Sequence, residues 1–272
     1  MQFGAKKSKF DIRDYRIKKS MTQGADIPTE FSWDFKVPVK NQGLVSSCVA
    51  HALASILEFH APHDRELSTN FIYGIQKQLC GHSGEGMYLR DACKIAATYG
   101  DMLESDCPGN TEVPKCHSIA EKSLLDDIKV DMAAKHRIEN YILCVGDDEI
   151  KYAIYKYGPV LANMKWYDTY YAGLDGVLRG KRKGSVGYHA IVVYGYDANG
   201  YWCQNSWGKL WGKSGKFYVP NEYGLNEVRA LVDYENDDEL ILPKEQTFID
   251  ILYKVFNSIV NFFMNIFKKK KS

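Results

Sequence analysis

From Val49 to Leu57 apolar side chains recur three and four residues apart (Val49, Ala52, Leu53, Ile56, Leu57), which predicts a helix from about Cys48 to His60, stopped by Pro62. Ser46 or Ser47 stands where its N-cap belongs. Leu67-Ser68-Thr69-Asn70 opens a second helix reaching about Cys80, and Tyr88 to Tyr99 reads as a third that ends at Gly100, a left-handed cap. Gly81, Gly84 and Gly86 make the connection between these two a flexible loop, and Cys107 to Ser118, with two prolines, reads as another. Beyond that the period changes. A strand is predicted around Arg137 to Val145, then a helix from Asp147 to Tyr157 ended by Gly158-Pro159. Strands follow at Val160–Met164, His189–Tyr196, Tyr201–Asn205 and Lys216–Val219, separated by Asn199-Gly200 and other Gly-containing turns. The pattern therefore predicts an α+β chain, helices in its first half and an antiparallel sheet or barrel in its second.

The two ends follow neither pattern. Residues 1–26 are a polar leader in which the first twenty residues carry seven Lys or Arg against two Asp; only Phe10 to Ile17 is patterned. Residues 235–247 form an acidic, Pro-containing linker, and 248–272 an apolar tail closed by four consecutive lysines. In that tail Asp250, Lys254, Asn257, Ser258, Asn261 and Asn265 fall three or four apart, one narrow polar stripe on a helix otherwise apolar all round. Twenty helical residues reach about 30 Å, the hydrocarbon thickness of a bilayer. Lysines at its end suit anionic headgroups. Membrane attachment through 248–267 is therefore expected, either spanning or lying in the interface; the competing reading is a helix packed on the protein or a partner.

Composition changes this picture little. The chain of 272 residues is 45% apolar, enough for a core without metal or disulfide support, and no cofactor is called for. With 35 basic against 34 acidic residues, no field argues for nucleic acid as a partner, and oligomeric state is left open. No apolar run of secretory length follows Met1, so a cytosolic, reduced catalytic domain is expected. Seven cysteines are present; with Cys48 set aside, Cys80, Cys93, Cys107, Cys116, Cys144 and Cys203 could form three bridges in any of fifteen pairings. Cys80, His82, Cys107, Cys116 and His117 lack the doubled short spacing of a structural zinc site, so no metal site is assigned.

The candidate chemistry begins at Cys48. A thiol in the first turn of a helix meets unpaired N–H groups and the positive end of the dipole, which favour the thiolate and are expected to draw its pKa down from about 8.5. Alone it reads equally well as a small buried hydrophobe. Three further stretches decide otherwise: Gln42 six residues upstream, His189 opening an apolar strand, and Asn205-Ser206-Trp207-Gly208 sixteen residues after that histidine. In that order and spacing the chain resembles the papain family of cysteine peptidases, over roughly Ile27 to Val232.

The resemblance implies a two-lobed fold over 27–234, with a helical lobe at about 41–120, a β lobe at about 131–232 and the active site in the cleft between them. It implies a cysteine-type endopeptidase with a polypeptide substrate. Cys48 would be the nucleophile, His189 its acid and base, Asn205 the residue orienting the imidazole, and Gln42 with the Cys48 N–H the oxyanion donors. On the substrate side it implies Gly86 as a backbone hydrogen-bonding edge, Trp207 as a cover over the histidine, and Asn163, Ala190 and Val228 as an apolar pocket for the second residue before the scissile bond, with Arg229 close by. Departures are visible. Val45 removes a disulfide frequent in secreted members, Ser46 adds a side chain beside the cleft, and the leader is too short to be the family's long helical prosegment, so regulation by prosegment removal is not expected. Acyl transfer on the same constellation, and an inactive fold kept for binding, are the competing functions; the intact set of four residues speaks against the second.

Overall fold

The computed structural model describes residues 3–9, 11, 13–60, 66–79, 84–108, 127–184, 186–232 and 240–241. In chain order β1 (Ala5–Lys6), β2 (Arg16–Ile17), α1 (Lys19–Gly24) and β3 (Phe31–Ser32) precede the first long helix, α2 (Cys48–His60). Next come α3 (Thr69–Leu79), β4 (Met87–Tyr88), α4 (Leu89–Thr98) and α5 (Asp127–Ala134). The second half holds β5 (Asn140–Cys144), α6 (Asp147–Tyr157), β6 (Val160–Tyr167), β7 (Tyr171–Ala172), β8 (Leu178–Arg179), β9 (Val186–Tyr196), β10 (Gly200–Gln204), β11 (Lys216–Pro220), β12 (Glu227–Val232) and β13 (Leu240–Ile241).

Local chemistry sets the helix ends. The Ser68 hydroxyl accepts from the backbone N–H groups of Asn70 and Phe71 at 3.2 and 3.1 Å, capping α3. α6 opens with Asp147, Asp148 and Glu149 at the positive end of its dipole and stops at Gly158 before Pro159. α2 is buried from Cys48 through Glu58 on every face, because it lies between the helical lobe and the sheet.

The sheet runs in the order β11-β10-β9-β6-β12-β5 with antiparallel neighbours throughout, β3 and β1 adding to β9. Alternation along its strands gives the two faces different work. Leu161, Ala190, Val192 and Leu231 join α2, α3 and α4 in one core cluster, while Ala162, Met164, Ile191, Val193 and Val228 join α6 and the outer strands in another. The architecture is α+β and two-lobed, a helical lobe against a predominantly antiparallel β lobe, with the N-terminus of α2 at the junction.

Several elements differ from the sequence pattern. The strand expected over Val160–Met164 continues to Tyr167, where Trp166 is fully buried. β12 carries its own row of ladder bonds to β6 and β5. The leader is not outside the core: Ile17 is buried in the β lobe and Ala5 in the cluster around α2. Cys48, Cys93, Cys107, Cys144 and Cys203 are all free thiols, which removes the three-bridge arrangement for the described residues. Cys80, Cys116, most of the acidic linker and the tail 248–272 lie outside the described residues. Among the described residues no helix is long and apolar enough to cross a membrane, and no group of three or more His, Cys, Asp or Glu is gathered as for a metal ion.

Candidate active site

Cys48 begins α2 where that helix meets β9, and its Sγ lies 3.4 Å from the Ala190 backbone N–H. His189 therefore sits one residue from the sulfur's hydrogen-bond donor. Its Nε2 is 2.7 Å from Asn205 Oδ1, and the Ser206 N–H also donates to that oxygen at 2.7 Å. Two donors on one atom identify it as the amide oxygen, so Nε2 carries the proton and Nδ1 is left basic. Among the described residues Nδ1 has no hydrogen-bond partner and is free to take a proton from a thiol. Trp207 stacks on the imidazole with 4.3 Å between ring centroids and 23° between planes, and Trp166 meets it edge-on at 5.4 Å. The two indoles wall the His189–Asn205 bond from water, where it is worth more than in solvent.

Gln42 is fully buried on the same floor. Its Oε1 accepts from the Ser206 hydroxyl at 2.7 Å and its Nε2 donates to the Val45 carbonyl at 2.9 Å. Behind α2, Lys40 and Glu58 form a buried ion pair at 2.8 Å, and Ser47, rather than only ending a loop, places its hydroxyl 3.2 Å from Nδ1 of His51.

The cleft is not open. β1 runs across it, Ala5 pairing in parallel with Met87 and antiparallel with Tyr188, so that a strand of the leader bridges the two lobes. The Gly4 carbonyl accepts from the Met87 N–H at 2.6 Å. A Cβ on Gly4 would sit 2.0 Å from the Ser46 oxygen and one on Gly86, at φ +82°, 2.5 Å from the Gly4 oxygen, so only glycines allow this approach. Phe3 lies edge-on to His189 at 6.4 Å. Cys48 and His189 are both 0% exposed.

The wall beyond Ala190 follows from register. Asn163 pairs with Ala190 and Glu227 pairs with Asn163, so the three share one face of the sheet. Asn163 is buried with neither side-chain polar atom bonded to any described residue. Val228, expected in this wall, points to the opposite core because alternation puts Glu227 in its place. Arg229 is 1% exposed and held by Asp14 and Glu227.

The sequence pattern of the papain family of cysteine proteases matches residues 27–231. The chain belongs to that family. Among curated relatives it is 26% identical over 218 residues to cathepsin B-like cysteine proteinase 3 of Caenorhabditis elegans, a match covering 70% of this chain and 58% of that one. It is 27% identical over 236 residues to a cysteine protease of Blomia tropicalis, covering 76% and 66%. Among solved structures, xylellain, a cysteine protease from Xylella fastidiosa, superposes with a TM-score of 0.72 at 23% identity, covering 86% of this chain and 96% of that one. The papain-like fold expected from the sequence is thus the fold observed.

In this closed form the papain-family pair is discharged. Burial pushes the Cys48 thiol up to about 11, against the pull of the N–H groups of Ala190, Gly4, Val49 and Ala5, and lowers the His189 imidazole to about 4 against its bond to Asn205. The depressed thiol pKa expected from the helix terminus is therefore not found. Loss of hydration outweighs the dipole when β1 covers the sulfur. Gly86, Ala190, Asn163 and Trp207 all lie along this cleft or its wall. Sequence reasoning missed Phe3, Gly4 and Ala5, for which a two-residue strand leaves no periodic signal. It missed Glu227 for want of one step of register, which the alternation of Val228 and Ala230 carries.

Proposed function

We propose that the chain is a cysteine-type endopeptidase acting on polypeptides, with Cys48 as nucleophile. The observation that carries this is the fixed tautomer of His189: Nε2–H held by Asn205, Nδ1 basic, and the Cys48 sulfur bound one residue away at Ala190. Proton transfer from Cys48 to Nδ1 gives a thiolate and an imidazolium. The thiolate attacks the substrate carbonyl carbon, and the Cys48 N–H and Gln42 Nε2 donate to the oxyanion. His189 gives its proton to the leaving nitrogen, the C–N bond breaks, and a thioester remains on Cys48. His189 then takes a proton from water, which attacks the thioester, and returns it to the sulfur. The chain spans 58% of the length of its C. elegans relative, so activity and substrate are tested directly: a chain opened at the cleft should hydrolyse an unstructured peptide, and Cys48→Ala should not.

The finer reading concerns selectivity. Glu227 lies two strands from Ala190, about 10 Å away, and, ion-paired with the buried Arg229, makes this wall polar together with Asn163. A hydrogen-bonding substrate side chain, which the Asn163 amide could meet, suits it better than the apolar one expected from Val228. A positional peptide library would reject this if aliphatic residues were favoured at every subsite.

The tail 248–267 is proposed to attach the protein to anionic membranes, on its polar-striped apolar sequence and terminal lysines alone. The full chain should float with liposomes and a chain ending at Glu245 should not; equal flotation would reject it.

A further inference from the structure

Residues 3–24 consist of two stretches that hold the protein in different ways. The first, 3–9, lies across the cleft over Cys48 and His189, both fully buried. Ala5 is laddered to Met87 and Tyr188 across the cleft, the Phe3 ring lies 6.4 Å from that of His189, and the Gly4 carbonyl accepts from the Met87 N–H. Among the described residues the far end of this stretch is tied by two hydrogen bonds, Ser8 N–H to Glu227 at 3.0 Å and Arg90 N–H to the Ser8 hydroxyl at 3.2 Å.

The described residues of the second stretch, 11–24, are built into the β lobe. Asp14 accepts from Nη1 and Nη2 of Arg229, both at 3.1 Å, and from Nε of Arg90 at 2.7 Å. The Arg229 and Asp14 side chains are 1% and 2% exposed. Arg229 Nε is bound to Glu227 at 2.8 Å and Arg90 Nη1 to Asp11 at 2.7 Å, so two guanidinium groups are shared by three carboxylates. Next to this cluster the Leu143 N–H donates to the Tyr15 carbonyl at 3.0 Å, Arg16 reaches Glu149 at 2.9 Å, and Ile17 is buried in the lobe's core. Removing Asp14 would leave Arg229 buried and short of its bidentate partner, a costly state.

We propose that residues 3–9 are a displaceable plug of the active site and residues 11–24 a permanent part of the enzyme, so that the site opens on loss or withdrawal of about the first nine residues and not of the whole stretch before Ile27. The functional meaning rests on the peptidase reading above, but the partition does not.

The test therefore reads thiol access and stability rather than proteolysis. Three chains are compared, beginning at residues 1, 10 and 27, by the rate at which iodoacetamide alkylates Cys48, mapped by mass spectrometry, and by thermal melting. The chain from residue 10 should be alkylated at Cys48 about 100-fold faster than the full chain, at a melting temperature within a few degrees of it. The chain from residue 27 should melt about 10 °C lower or fail to fold. Two full-length variants stand in where truncation interferes with folding. Gly4→Val, which cannot fit against Ser46, should raise alkylation as truncation does, and Asp14→Asn should lower the melting temperature without exposing unfolded chain at 25 °C. Equal alkylation of Cys48 in the full chain, the chain from residue 10 and Gly4→Val would overturn the plug. Equal melting of the chains from 10 and 27, or no loss in Asp14→Asn, would overturn the anchor. Fast alkylation of the opened chain without peptide hydrolysis would leave the partition standing and remove the peptidase reading.

Discussion

Acid should loosen the closed form through His189, by an amount that can be worked out. The folded imidazole resists protonation down to about 4, whereas an unfolded one takes its proton near 6.5. Between these values the unfolded chain binds more protons, so stability falls as pH drops from 6.5 and levels off below 4. From pH 7.5 to 4.5 this one group costs about 2.5 kcal/mol, taking 1.36 kcal/mol for each unit between the two titrations. His51, buried beside Ser47 and lowered to about 4 by burial, acts in the same direction, so the total pH effect is not diagnostic. The diagnostic quantity is a difference. Melting of the full chain and of His189→Gln is followed across this range, and the full chain should lose about 5–10 °C more than the variant. Parallel curves would refute the view that a neutral imidazole is sealed under β1.

At the alkaline end the sign reverses. The folded Cys48 thiol holds its proton to about 11, so the full chain should lose stability above pH 9 relative to Cys48→Ala, read by the same melts. In the opened chain Cys48→Ala and His189→Ala should abolish peptide hydrolysis, while Asn205→Ala, which frees the ring without removing it, should only reduce kcat. Gln42→Ala should lower kcat about 100-fold, near 3 kcal/mol of oxyanion stabilisation, with KM little changed; an unchanged kcat would place the oxyanion elsewhere. Asn163→Ala should lower kcat/KM for peptides carrying a hydrogen-bonding side chain near the scissile bond and spare aliphatic ones.

What the sequence disclosed and what it withheld have physical causes. α2, α6 and the long strands carry strong local periods and clear stops such as Pro62 and Gly158, so their existence and type could be read directly. Cys48, Gln42, His189 and Asn205 were legible through order and spacing. The plug was not: Ala5 and Lys6 form a two-residue strand whose partners, Met87 and Tyr188, lie far along the chain. The ion cluster joins Asp14 to Arg229 across 215 residues, a pairing no local pattern encodes. The thiol was misjudged because a helix terminus can be seen in the sequence and its desolvation by a distant strand cannot. Glu227 shows the same limit at smaller scale, since one residue of register exchanges the two faces of a strand.

Trapping the acyl-enzyme tests the central claim most directly. The chain beginning at residue 10 is mixed with a peptide ester, quenched in acid within the first turnover and digested, and each cysteine-containing peptide is weighed. The account predicts one adduct, the acyl half of the substrate in thioester linkage to Cys48, removed by hydroxylamine and missing from Cys48→Ala. Turnover with the acyl group on any other residue, or with no acyl group on the chain, would contradict it.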